Sequence, residues 1–165
     1  KSNKTKIKNN SFNTSKPEEE TYNKLCIIFN KDNVVRQYDT RLYESTNRYP
    51  FKCDFYIKSL DLFIELNLGW RHGSHSFNSN NLKDINPLNK WQNKVKNCVG
   101  RSNGKAYKIA IDVWTVRDPK KLACAKEHNL NYVMVYNIKE LTNFIEELEK
   151  KYGKEINSVA NNESK

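Results

Sequence analysis

The chain has 165 residues, 37% hydrophobic and 12% aromatic, which suits one domain with a real core and short tails and excludes a largely unfolded polypeptide. A net charge of +10 points to a polyanionic partner, nucleic acid first and an anionic membrane second. The longest early apolar run, Leu25-Cys26-Ile27-Ile28-Phe29, falls far short of the ~20 residues of a membrane span, and no signal peptide is visible.

Residues 1–14 are Lys, Asn, Ser and Thr with almost no apolar content and read as a disordered basic arm, able to track phosphates or simply to solubilise. The domain is expected over 15–152. Ser15-Lys16-Pro17-Glu18 has the form of a capping box, opening a helix through Tyr22, Leu25, Cys26 and Phe29. Val34 to Tyr38 reads as a first strand, and the segments 51–57 and 62–67 as a second and third. Gly69 to Asn81 is a polar loop. Leu82 to Val99 has helical spacing, with Pro87 marking its effective start, and Gly100 to Gly104 is a break. Lys105 to Trp114 alternates Tyr107, Ile109, Ile111 and Val113 with polar positions, which predicts a fourth strand. Asp118-Pro119 reads as the N-cap and first position of the next helix. Tyr132 to Tyr136 is a fifth strand and Ile138 to Tyr152 an amphipathic closing helix, followed by a polar tail at 153–165. The order α-β-β-β-α-β-α-β-α implies an α/β fold, a mixed sheet of about five strands flanked by helices. The four cysteines, 26, 53, 98 and 124, form no Cys-x-x-Cys pair, which argues against a zinc ribbon; three lie within apolar patterns and read as buried thiols, which fits a reducing cytoplasm. The chain does not begin with Met, which suggests a fragment or a processed form.

The strongest functional signal is a pair of acids. If Ser59-Leu60 forms a two-residue hairpin loop, Lys58 faces Asp61, Ile57 faces Leu62, and Asp54 falls opposite Glu65. One face then carries Cys53, Phe55, Ile57, Leu62, Ile64 and Leu66; the other carries Asp54, Tyr56, Phe63, Glu65 and Asn67. Facing carboxylates repel. A hard divalent cation relieves the repulsion, because Mg²⁺ takes one or two carboxylates plus phosphate oxygens. Two surface acids neutralised by Lys52 and Lys58 are the bland alternative.

With these residues placed, the chain resembles the PD-(D/E)XK (restriction-endonuclease-like) nuclease superfamily over about residues 15–137. The resemblance is closest to its small very-short-patch-repair-like and phage homing-type branch. It rests on Asp54 and Glu65-Leu66-Asn67, and on three strings: Tyr49-Pro50-Phe51-x-Cys53-Asp54-Phe55-Tyr56-Ile57, Gly69-Trp70-x-His72-Gly73-x-His75, and Trp114-Thr115-x-x-Asp118-Pro119-x-Lys121. The resemblance implies a metal-dependent DNA endonuclease in a bacterial or phage-infected cytoplasm. Asp54, Glu65 and the Leu66 carbonyl would hold Mg²⁺ or Mn²⁺, supported by Glu18 of the first helix. Where the superfamily usually has Lys, this chain has Asn67, which neither accepts a proton nor carries charge. Asn67 would orient water or a phosphate oxygen, and the Lys role would pass to Lys94 or Lys121, be left to metal-bound water, or be absent. Lys121 is favoured by its place at an expected helix N-terminus.

Arg71, Arg117 and Lys120 are expected to contact the nucleic-acid backbone. His72 and His75 follow the metal strand and are candidates for acid–base or phosphate contact; two exposed loop histidines are the alternative. Trp70, Trp91 and Trp114 read as anchors, with Trp70 at the rim of the site. The competing readings are a DNA-binding module with weakened or lost catalysis, which Asn67 favours, and a structure- or RNA-directed nuclease. Cutting both strands with this fold usually needs two active sites, which leaves homodimerisation open. No basic amphipathic helix supports a membrane partner.

Overall fold

The computed structural model describes residues 15–39, 50–98 and 102–160, with side chains as far as 153. The basic arm, Tyr49, Val99 at the expected end of its helix, Gly100 and Arg101 of the expected break, and the last five residues lie outside the described residues. The protein is α/β, with a four-stranded mixed sheet flanked by helices.

Helix α1, Lys16–Phe29, opens on the expected capping box: Ser15 N–H donates to Glu18 Oε2 (2.8 Å) and Glu18 N–H to Ser15 Oγ (3.4 Å). Strands β1 (Val34–Asp39), β2 (Lys52–Ile57) and β3 (Leu62–Leu66) follow, and β4 (Asn131–Val135) completes the order β1-β2-β3-β4. The first three are antiparallel and β4 pairs parallel with β3. Ile57 faces Leu62, the register expected from the alternation.

The hairpin loop is longer than two residues. A tight 3₁₀ turn at Lys58–Leu60 ends on Asp61 in the left-handed region (φ 47°). A two-residue primed turn needs positive φ at Ser59, Leu60 or both, which costs each about 1–2 kcal/mol, whereas Asp tolerates that region. Asp61 Oδ1 accepts from Tyr56 Oη (2.7 Å), and Ser59 N–H donates to Asn33 Oδ1 (2.8 Å).

Between β3 and β4 lie α2 (Leu82–Asn97), α3 (Ser102–Asp112) and α4 (Asp118–Glu127). Helix α2 begins at Leu82, capped by Asn81 Oδ1 on Lys83 N–H (3.0 Å), so Pro87 lies inside it and does not mark its start. The expected fourth strand is helix α3, and the sheet formed by the described residues has four strands where about five were expected. Gly104, Ala110, Val113 and Trp114 are buried, with Tyr107 and Ile111 half-buried, while Ile109 is 38% exposed. That is helical spacing; the apolar alternation was a coincidence of a helix with apolar residues on both flanks. Gly104 lies inside α3, and glycine is needed there because a Cβ would stand 2.4 Å from the Cys98 carbonyl oxygen.

Helices α3 and α4 are continuous through a π-helical turn at Val113–Arg117, closed by Asp118 N–H on the Val113 carbonyl. The wider turn accommodates Pro119, whose ring would otherwise meet the carbonyl four residues earlier. Asp118 is therefore not an N-cap; its backbone is helical (φ −64°, ψ −44°). Helix α5, Ile138–Ala160, continues past the expected end at Tyr152.

Both sheet faces are covered. Helices α1 and α5 bury Leu25, Ile28, Leu141, Ile145 and Leu148 against Phe55, Ile57, Leu62 and Ile64. The opposite face is not the polar surface that alternation suggests. Tyr38, Tyr56 and Phe63 form a second core there, with the Tyr38 and Tyr56 rings stacked at 4.0 Å, and Cys53 joins this core rather than the Phe55 face on which strict alternation places it. Cys124, Leu130 and Tyr132 pack against it. No helix among the described residues is long and apolar enough to cross a membrane.

Candidate functional site

Asp54 of β2 and Glu65 of β3 come directly after the Phe55–Ile64 pair that ends the β2–β3 ladder, with Asp54 within electrostatic reach of Glu65. Both Asp54 oxygens are engaged: Leu66 N–H donates to Oδ2 (2.7 Å) and Gln37 Nε2–H to Oδ1 (3.2 Å). Burial pushes the Asp54 carboxyl above its usual range and the nearby Glu18 adds to this, while the Leu66 N–H, Lys121 and Gln37 oppose it. Glu18 of the capping box thus lies within electrostatic reach of Asp54.

Glu65 is 6% exposed. Burial raises its pKa to about 7; Asp54 adds to the rise and the Lys121 ammonium opposes it. Lys121 Nζ donates to Glu65 Oε1 and also reaches the Lys52 carbonyl oxygen (3.4 Å). Glu65 Oε2 is buried with no hydrogen-bond partner among the described residues. Of the two lysine candidates, Lys121 is brought to the carboxylates. Lys94 lies exposed on α2, with no described contact to them. The ground offered for Lys121 was wrong, however: it follows an unbroken helix rather than a free N-terminus.

Asn67 follows β3 directly and is 1% exposed. Its backbone N–H donates to the Val135 carbonyl (2.7 Å) and its amide to Asp118 Oδ2 (3.4 Å). It is enclosed by protein groups, which makes it a positioning residue rather than a contact for bulk water. The same Asp118 oxygen accepts from His72 Nδ1 at 2.7 Å. Asp118 is 3% exposed, whereas the His72 side chain is a quarter exposed. Sequence reasoning missed this role for Asp118, because Asp before Pro is the ordinary signature of a helix start. The available signal was its place in the same string as Lys121.

His72 sits in a 3₁₀ turn, Trp70–His72, ended by Gly73 at φ 64°. A Cβ on Gly73 would lie 2.0 Å from Trp114 Cε2, so the turn rests directly on the indole. His75 has a different task. Its Nε2 meets Asp84 Oδ1 (2.7 Å), Asp84 Oδ2 accepts from Asn78 N–H (2.8 Å), and the His75 carbonyl accepts from Trp114 Nε1 (2.8 Å). Asp84 is wholly buried, so the group fastens the loop to α2. Trp70, half-exposed, meets Trp91 and Tyr107 edge-on at 5.5 and 5.3 Å. Arg71, Arg117 and Lys120 are exposed next to His72, Asp118 and Lys121 in the chain.

Among the described residues, no group of three or more His, Cys, Asp or Glu side chains is gathered to hold a metal ion unaided. The donors that do meet are hard oxygens, and one of them, Glu65 Oε2, lacks a partner. Such a pair fits Mg²⁺ or Mn²⁺, which keep positions for water and phosphate, and does not fit a closed thiolate or imidazole cage. Comparison with family models, curated proteins and solved structures gave no match.

Proposed function

We propose that this chain is a metal-dependent DNA endonuclease resembling the PD-(D/E)XK superfamily, hydrolysing phosphodiester bonds at the Asp54–Glu65 pair. The observation that carries the reading is a hard-oxygen pair with an unsatisfied atom, whose Glu65 takes the Lys121 ammonium and lies within electrostatic reach of Asp118, the acceptor for the His72 imidazole.

Asp54 and Glu65 would hold Mg²⁺ or Mn²⁺, with the Leu66 carbonyl as a further donor. When bound, such an ion lowers the pKa of water and neutralises charge on the phosphate. Asp118 accepts from His72 Nδ1 and so fixes the tautomer with Nε2 as the basic nitrogen. His72 then takes a proton from the attacking water or returns one to the leaving oxygen. Lys121 supplies positive charge beside Glu65, and Asn67 holds Asp118 from below. Arg71, Arg117 and Lys120 hold the backbone phosphates. A second reading, a nucleic-acid-binding module without catalysis, is favoured by the Lys121–Glu65 pair, since an ammonium there neutralises the site with no metal bound.

Cleavage of plasmid, branched DNA and RNA in Mg²⁺, Mn²⁺ or EDTA tests both. Metal-dependent cutting should be abolished in Asp54→Ala and Glu65→Ala and fall about 10²–10⁴-fold in His72→Ala. Cutting in EDTA, or cutting indifferent to Asp54→Ala, would remove the proposed site. Tight binding without cutting on every substrate would select the second reading.

A further inference from the structure

Among the described non-glycine residues with positive φ, Asn30, Asp61, Ser74 and Asn129 lie in turns or at element ends, where such a conformation is ordinary. Gln37 (φ 49°) is different: it lies within β1. Arg36 pairs with Phe55 and Tyr38 with Cys53, so the register passes unbroken through Gln37, directly opposite Asp54, yet the ladder omits that pair. No extra residue is inserted, so this is a local twist of one residue and not a bulge. Gln is also a poor choice for that backbone, since Gly, Asn and Asp adopt it at lower cost.

What the twist accompanies is a hydrogen bond. Gln37 Nε2–H donates to Asp54 Oδ1 (3.2 Å) while Leu66 N–H donates to Oδ2 (2.7 Å). One donor on each oxygen, from the strand on either side, fixes the rotation of the carboxylate. Each oxygen keeps a lone pair for another ligand. On its other side the β2–β3 ladder ends at Phe55–Ile64; Glu65, the next residue of β3, lies within electrostatic reach of Asp54.

We infer that Gln37 is a positioning residue for the metal-binding carboxylate: β1 is held in a strained conformation so that its amide orients Asp54. This rests on the reading of Asp54 as a metal ligand. Strain retained beside a working group, and absent from the rest of the strand, is where function rather than folding sets the conformation. The outer partners of metal ligands act in this way, and their removal ordinarily lowers metal affinity about 10–100-fold.

Two variants separate function from folding. Gln37→Gly removes the amide and relieves the backbone; Gln37→Met keeps length and strain but cannot donate. Calorimetric Mn²⁺ titration without nucleic acid, beside urea unfolding, is run on both, on the unsubstituted protein and on Asp54→Ala. The expected result is that both Gln37 variants lose affinity about 10-fold or more, with Gln37→Gly at least as stable as the parent. Parent-like Mn²⁺ affinity in both variants would overturn the inference alone. So would Gln37→Gly losing stability and affinity together while Gln37→Met keeps its affinity, which would mark a purely structural side chain. If the parent does not bind Mn²⁺, or Asp54→Ala binds it equally well, the metal reading of Asp54 fails and the inference falls with it.

Discussion

Glu65 is a carboxylate with almost no water around it, and its titration should be visible in the stability of the whole protein. Its ordinary pKa of 4.5 is raised to about 7, burial being the largest cause. Between those values the unfolded chain has released the proton and the native state still holds it. The native state therefore binds more protons, and stability falls as pH rises through that window. The contribution is on the order of a few kcal/mol. Urea midpoints from pH 4.5 to 8 should decline less steeply in Glu65→Gln than in the parent; equal slopes would show that Glu65 is not buried in this way. In Lys121→Met the opposing ammonium is gone, so the decline should extend to higher pH. Metal affinity should rise over the same range, because coordination needs the charged form. Asp54 and Glu65 were legible in the sequence because period-two alternation fixes register, and register fixes which side chains face each other. Asp118 and Gln37 were not, because their roles depend on partners 46 and 17 residues away.

At the scale of elements, the site depends on how closely the turn carrying His72 lies against the Trp114 indole. Gly73→Ala combines a left-handed backbone with a Cβ inside the Trp114 ring, and should cost about 2–5 kcal/mol in urea unfolding. Gly69→Ala is the control: its Cβ meets only His72 Cδ2 at 4.0 Å, and stability should change by less than about 0.5 kcal/mol. Equal effects would mean that the turn does not rest on the indole. The helix leading to Trp114 shows where local reading fails. Tyr107, Ile109, Ile111 and Val113 alternate as a strand would, yet the buried positions are Gly104, Ala110, Val113 and Trp114, at helical spacing, and Ile109 is exposed. Asp118-Pro119 signals a helix start, but a π-helical turn carries the helix past the proline. Continuity places Asp118 and Lys121 on one helix facing the sheet.

Among the described helices the charges are divided between the two faces. Helices α2, α3 and α4, with the π-helical turn, carry ten Lys or Arg against four acids, two of which, Asp84 and Asp118, are buried. Helix α1 and α5 as far as Tyr152 carry five Lys against seven Glu. The positive charge of the described residues is thus concentrated on the layer that also supplies Asp118 and Lys121, where a polyanion would approach. Replacing Lys90, Lys94 and Lys108 together with Ala should weaken DNA binding. It should also flatten the dependence of log K on log salt by about 0.9 for each phosphate no longer neutralised. Replacing Lys139 and Lys150 of α5 should leave the slope unchanged. If the two sets behave alike, the charge division has no part in binding.

Capping at Ser15, the strand register at Ile57–Leu62, the apolar stripe of α5 and the acid pair were determined by the sequence alone. Each depends on neighbours a few residues apart or on a strict periodicity that local chemistry enforces. The covering of the second sheet face, the helical state of 102–112, the His72–Asp118 and Lys121–Glu65 pairs and the twist at Gln37 were decided by tertiary structure. Each needs two segments far apart in the chain to meet, and burial then overrides what either segment prefers by itself.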